Sequence, residues 1–137
     1  MGAVVLDSSV VIGFLTVTDA HHRPAAREIL DIRDRGDEFV LPASVLAESV
    51  IEKYRSGTAA GDQLIDDLIA TFGPERVVDA DVAKAAARLR ARHRSLRLPD
   101  ALVIATGIVD DAAVLTCDRR LAAFGDRVQV LDPDPQM

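Results

Sequence analysis

Four acidic residues stand where a lone carboxylate is costly to keep. Asp7 ends the apolar run "AVVL" and Asp118 ends "VLTC". Asp100 directly follows Pro99 and opens "ALVIATGIV", which is apolar except for Thr106 and Gly107, the pattern of a helix enclosed on nearly all sides. Glu48 lies in "ASVLAESVIEKYRSG", where its i±3 and i±4 neighbours are Ser44, Val45, Ile51 and Glu52, so it borders an apolar face. Each acid also has a plain structural use. Asp7 and Asp118 suit helix N-caps, worth about 1 kcal/mol each. Asp100 suits a first helical turn, at about 0.3–1 kcal/mol, and Glu48 suits a surface pair with an arginine.

Capping needs only a small polar oxygen, however, and Ser8, Ser9 and Ser44 already stand beside these positions. Two strand-end acids and an acid on a buried helix are expected to converge, because open α/β sheets collect their ligands at the carboxyl ends of strands. Convergence has an electrostatic cost. Two carboxylates about 4 Å apart repel by about 4 kcal/mol at an effective dielectric of 20. A divalent cation relieves that repulsion, and an all-oxygen donor set suits Mg²⁺ or Mn²⁺. Zinc is not indicated: the histidines are His21, His22 and His93, and none forms a zinc motif with Cys117.

The elements that must position these acids alternate. Strands are expected at 3–6, 38–42, 76–80, 112–118 and 127–131. Between them lie helices over "SSVVIGFL", over 19–36 with Gly36 as the stop, over 43–57, over 59–73, over 81–95 and from Pro99, with a short helix in "RRLAAFG". The four phenylalanines are expected in the core. Short, continuously apolar strands between helices predict a three-layer α/β/α sandwich around a short, mostly parallel sheet. A chain of 137 residues fits one domain, expected over 1–131, with "DPDPQM" at 132–137 as a frayed tail.

Composition narrows the setting. No apolar run approaches the roughly 20 residues of a membrane span, and Asp7 interrupts the first apolar stretch, so neither membrane insertion nor a signal peptide is expected. Cys117 is the single cysteine, which excludes an internal disulfide and fits a cytoplasmic protein. The net charge of −6 argues mildly against nucleic acid, yet "RLRARHRSLR" at 88–97 holds five arginines and no acid. Such a run serves as a solvated helix face or as a phosphate-binding surface.

The segments "VVLDSSVVIGFL", "LPASVLAESV", "LRLPDALVIATG" and "VLTCDRRLAAFG" together resemble, in order, the four acidic motifs of the PIN-domain ribonucleases. The compact length is similar to that of the VapC-type toxins of toxin–antitoxin (VapBC) pairs. The resemblance implies an acidic pocket for Mg²⁺ or Mn²⁺ formed by Asp7, Glu48, Asp100 and Asp118, supported by the hydroxyls of Ser9 and Thr116. It implies cleavage of single-stranded RNA to 5′-phosphate and 3′-hydroxyl ends, a VapB-type antitoxin partner laid over an apolar groove, and a homodimer. Asp7, Asp100 and Asp118 are the first candidates for direct ligation, while Glu48 either ligates or holds and deprotonates the attacking water. Arg88, Arg92, Arg97, Arg119 and Arg120 are candidates for RNA phosphates. The alternatives are a PIN-type RNA-processing nuclease outside toxin–antitoxin pairs, a catalytically silent binding module, and a receiver-type phosphoacceptor. The last usually wants paired acids early and a late lysine, whereas Lys53 and Lys84 are the only lysines here.

Overall fold

The computed structural model describes residues 2–136. Four strands, β1 (Ala3–Leu6), β2 (Glu38–Val40), β3 (Ala113–Thr116) and β4 (Val128–Val130), form one sheet in the order β2-β1-β3-β4. All three pairings are parallel. The helices are α1 (Ser8–Leu15), α2 (His22–Asp34), α3 (Ala43–Arg55), α4 (Thr58–Phe72), α5 (Ala80–Arg92) and α6 (Leu98–Val109), with a 3-10 helix at Arg119–Phe124. The architecture is the expected three-layer α/β/α sandwich with a short parallel sheet.

Local chemistry explains most boundaries. α2 stops where anticipated: Gly36 takes φ 78°, its N–H donates to Arg33 O at 3.1 Å, and Asp37 N–H donates to Ile32 O at 3.1 Å. This pair of bonds is a Schellman cap, which favours glycine at the left-handed position. Asp79 starts α5 by accepting from Val82 N–H at 3.0 Å. In α6, Ala101 and residues 103–107 are buried, and Thr106 satisfies its hydroxyl by donating to Leu102 O at 2.8 Å.

One core joins β1 and β3 to α1, α2, α3 and α4, with Val103 of α6 reaching into it. A smaller core joins α5, α6 and the 3-10 helix and meets the sheet at Val128. Phe14, Phe39 and Phe72 meet edge to face in the first core, at ring centroids 5.9 Å and 5.1 Å apart. Phe124 packs at the margin of the second.

Two expectations are corrected. Residues 76–80 are not a strand: Arg76 makes a single bridge to Pro42, and Val77 and Val78 are exposed. The Arg76 backbone meets the edge just beyond β2, donating to Leu41 O at 2.7 Å and accepting from Ala43 N–H at 2.9 Å, while its guanidinium is held by Asp110 at 2.9 Å through both Nε and Nη2, and by Asp79 at 2.9 Å. Pairing stops after that one residue, and the chain passes on to the start of α5 at Asp79 and Ala80. The stretch 132–136 does not hang free. Asp132 pairs with Arg119, Asp134 N–H donates to Ala20 O at 2.8 Å, and the Asp134 carboxylate lies 3.5 Å from Arg23. Met137 lies outside the described residues. No described helix is long and apolar enough to cross a membrane.

Candidate active site

The strand order places a topological switch at β1. Its onward connection leads to β2 on one side, while β3 pairs on the other, which opens a crevice at the carboxyl ends of β1 and β3. The register Leu6↔Leu115 sets the next residues, Asp7 and Thr116, beside each other, and Asp7 N–H donates to Leu115 O at 2.9 Å.

Asp7 occupies the N-cap of α1, but its side chain makes no capping bond. The carboxylate is turned into the crevice and the residue is only 5 % exposed. Its Oδ2 accepts from Ser9 Oγ at 2.7 Å and from Thr116 Oγ1 at 2.7 Å. The hydroxyls accept in turn, Ser9 from Cys117 N–H at 2.9 Å and Thr116 from Asp118 N–H at 3.0 Å. Each hydroxyl has one proton and spends it on Asp7, so the 3.4 Å approach between Ser9 and Thr116 is a contact and not a further hydrogen bond. Among the described residues nothing donates to Asp7 Oδ1. One carboxylate oxygen is therefore fixed by the fold, and the other has no hydrogen-bond donor among the described residues.

Glu48 on α3 and Asp100 in the first turn of α6 are half-buried. Burial pushes the Glu48 carboxyl up from its usual range, and the charges of Asp7 and Asp100 push it further, against the pull of Arg97. Burial likewise raises Asp100, aided by Asp7 and Asp118 and opposed by Arg97 and Arg120. Asp7 thus acts on both Glu48 and Asp100, and Asp118 acts on Asp100, with Arg97 and Arg120 opposing them.

Asp118 is the exception in sign. Arg120 embraces it, donating from Nε at 3.0 Å, from Nη2 at 2.7 Å and from its backbone N–H at 3.0 Å, and this holds the carboxyl below its usual range. Asp118 is also the N-cap of the 3-10 helix. Its two roles, cap and acidic neighbour, coexist.

Among the described residues, no three carboxylate, imidazole or thiol groups already enclose an ion. Asp118 is instead engaged by Arg120. The donor set nevertheless fits a hard divalent cation: it is all oxygen, with an unbonded Oδ1 on Asp7 and two carboxyls strained towards protonation by their neighbours.

The arginines divide. Arg97 acts on Glu48, Asp100 and Asp118, yet makes no ion pair within 4 Å among the described residues. Arg120 is at the site through Asp118. Arg119 is turned to Asp132 instead, and Arg88 and Arg92 are exposed on α5 and are not among the charges acting on the three shifted carboxyls. Sequence reading missed Arg90, whose Nη1 donates to Leu96 O at 2.6 Å and Arg94 O at 3.1 Å and so holds the loop that presents Arg97. It also missed Phe124, which lines a cleft beside Asp100. Neither has a local signal in the chain.

The PIN-domain family profile matches residues 4–127, nearly the whole chain. The chain belongs to the PIN-domain family. This PIN domain is also 39 % identical over 57 residues to an uncharacterised protein of Archaeoglobus fulgidus, spanning 42 % of this chain and 87 % of the other.

Solved structures share the fold of this PIN domain. A toxin–antitoxin complex from Klebsiella pneumoniae superposes with a TM-score of 0.73 at 17 % identity, covering 93 % of this chain and 96 % of that one. VapBC2 of Rickettsia felis, bound to a promoter DNA fragment, gives 0.74 at 14 % identity over 95 % and 99 % of the two chains. VapC20 of Mycobacterium tuberculosis, described as a sarcin–ricin-loop-cleaving toxin, gives 0.71 at 21 % identity over 89 % and 95 %. At such identities the likeness is one of fold.

Proposed function

We propose that this PIN domain is a Mg²⁺- or Mn²⁺-dependent endoribonuclease acting in the cytoplasm as the toxin of a toxin–antitoxin pair. The observation that carries the reading is Asp7: two hydroxyls donate to one of its oxygens, and its charge acts on Glu48 and Asp100. Family membership and the toxin folds it shares support the same reading.

Asp7, Asp100 and Asp118 would hold the cation, with Glu48 beside them. A bound divalent ion neutralises phosphate charge, lowers the pKa of bound water and stabilises the leaving oxygen. The protein's own groups supply the rest. Ser9 and Thr116 orient Asp7. Glu48, raised by burial, is the acid best suited to take a proton from an attacking water. Arg97 offers an unpaired charge to the substrate phosphates, Arg120 a second once it leaves Asp118, and Arg88, Arg92 and Arg119 lie outside the cleft as remote phosphate contacts.

The unit that does this is residues 1–131, working as a homodimer with a VapB-type antitoxin. The groove of about 330 Å³ between α1, α3 and α4, lined by Ile12, Leu15 and Leu64 and rimmed by Glu48, Glu52 and Lys53, suits an antitoxin peptide carrying apolar side chains and a cation.

The test is cleavage of a mixed RNA pool in Mg²⁺, in Mn²⁺ and in EDTA, with Asp7→Asn and Asp100→Asn compared to wild type and folding checked by circular dichroism. Cutting by wild type with either cation, and by neither variant, is the expected pattern. A wild type inert with both cations, or an Asp100→Asn protein that cuts normally, overturns the reading.

A further inference from the structure

Two clefts flank the carboxylates, and they differ in charge. The groove beside Glu48 carries two glutamates and one lysine on its rim, a poor seat for a phosphodiester. The other cleft, of about 320 Å³, opens directly from Asp100 and is lined by Leu96, Leu121 and Phe124 below two guanidiniums, Arg97 and Arg120. In a 3-10 helix, side chains three apart lie on one side, which sets Leu121 and Phe124 together. Leu96 and Leu121 are buried, Phe124 is half-buried, and the His93 ring braces Phe124 edge-on at 5.1 Å. The lining combines apolar side chains and one aromatic ring with two guanidiniums and the Asp100 carboxylate.

We propose that this cleft is a nucleotide subsite. One base of a single-stranded RNA, next to the bond that is cut, rests against Phe124 and Leu121, and its phosphate is bound by Arg97 and Arg120. The inference rests on the nuclease reading for the position of the cut, but the binding it describes does not need catalysis. Flat bases stack on aromatic rings whatever their sequence, and a guanidinium matches a phosphate in charge and fork geometry. Arg97 is free to do so at once. Arg120 is held by Asp118 but its own side chain is 78 % exposed, so it has room to turn from the carboxylate to a phosphate. The cleft's volume lies at the low end for small-ligand sites, which fits one nucleotide and not a stacked run. The strand therefore runs past Asp100 on the α6 side, leaving the acidic groove to other partners.

The test is fluorescence anisotropy with labelled octanucleotides of ribouridine and riboadenosine, and with an abasic ribose-phosphate chain of equal length. EDTA replaces the metal so that nothing is cut. Phe124→Leu keeps apolar packing and removes the ring. It is expected to weaken both base-bearing oligonucleotides about five- to tenfold and to leave the abasic chain unchanged. Arg97→Gln is expected to weaken all three and to lower the salt slope by about 0.7, the share of one single-strand phosphate. Arg55→Gln, on α3 and in neither cleft, leaves every affinity as in wild type. Equal binding by wild type, Phe124→Leu and Arg97→Gln overturns the subsite, as does a Phe124→Leu loss shared by the abasic chain. If wild type cuts RNA in Mg²⁺ while these affinities do not move, the nuclease stands and the subsite falls. If the affinities move as stated and no RNA is cut, the subsite stands and the nuclease falls.

Discussion

Thr116 donates its hydroxyl proton to Asp7 Oδ2 at 2.7 Å, across two adjacent parallel strands. Thr116 is fully buried and its oxygen also accepts from Asp118 N–H, so one side chain couples two of the four acids. Thr116→Val keeps the shape and removes both bonds. A hydrogen bond to a charged group is worth about 1.5–3 kcal/mol, and a loss of that size is expected in urea unfolding. RNA cleavage should fall at least tenfold, and Thr116→Ser should restore most of it. Cleavage by Thr116→Val at the wild-type rate would mean that Asp7 needs no such orientation.

The carboxyl shifts make opposite predictions for neighbouring acids. Glu48 and Asp100 titrate higher in the folded protein than in the unfolded chain. The folded state therefore binds their protons more tightly, and both groups cost stability above their folded pKa values; the cost vanishes as pH falls below the ordinary carboxylate range. In EDTA at pH 7, Glu48→Gln and Asp100→Asn should each raise Tm, and the gain should shrink as the pH is lowered to about 4. Asp118 is held low by Arg120, so its contribution is present above the unfolded pKa and lost as pH falls through the folded one. Asp118→Asn should lower Tm at pH 7. Differential scanning calorimetry across pH reads all three, and a common sign would refute the assignment of causes.

Metal linkage follows from the same charges. Mg²⁺ or Mn²⁺ at millimolar concentration should raise the wild-type Tm by mass action on the folded state, and Asp100→Asn should lose most of that rise. The same variant is thus expected to be more stable than wild type without metal and less responsive with it. A wild type with no metal-dependent shift speaks against a cation at this crevice.

Ser44 Oγ is buried with no hydrogen-bond partner among the described residues, one helical turn before Glu48. Removing an unsatisfied buried hydroxyl relieves a desolvation cost of about 1–3 kcal/mol. Ser44→Ala should therefore match or exceed wild-type stability in chemical denaturation, an unusual result for a truncation at a half-buried helix position. A clear loss would show that the hydroxyl is satisfied in solution.

Gly107 sets the distance between α6 and β3. A Cβ there would lie 2.6 Å from Val114 Cγ2 and 3.1 Å from Ala112 O. The carbonyl belongs to the chain entering β3 and cannot swing aside. Gly107→Ala is expected to destabilise by about 1–3 kcal/mol through overpacking, despite alanine's better helix propensity. Because α6 carries Asp100 and β3 carries Thr116, the displaced helix should also slow RNA cleavage. An unchanged urea midpoint would show that the pair can part without cost.

Much of this protein is legible in its sequence. Alternating short apolar strands and helices identify the layered fold, and the acids at strand ends and in the enclosed helix identify the candidate site, because hydrophobic periodicity and chain breaks are local properties. The tertiary structure decided what depends on distant partners. Residues 76–80 meet the sheet edge only at Arg76, whose side chain is bound by Asp110, thirty-four positions away. Five candidate arginines looked alike along the chain. Folding left Arg97 unpaired in the cleft, gave Arg120 to Asp118 and sent Arg119 to the tail. It also made Phe124, packed against the second core, a wall of the cleft beside Asp100. A side chain's charge is written in the sequence, but its partner is set by packing between elements that meet only once the chain has folded.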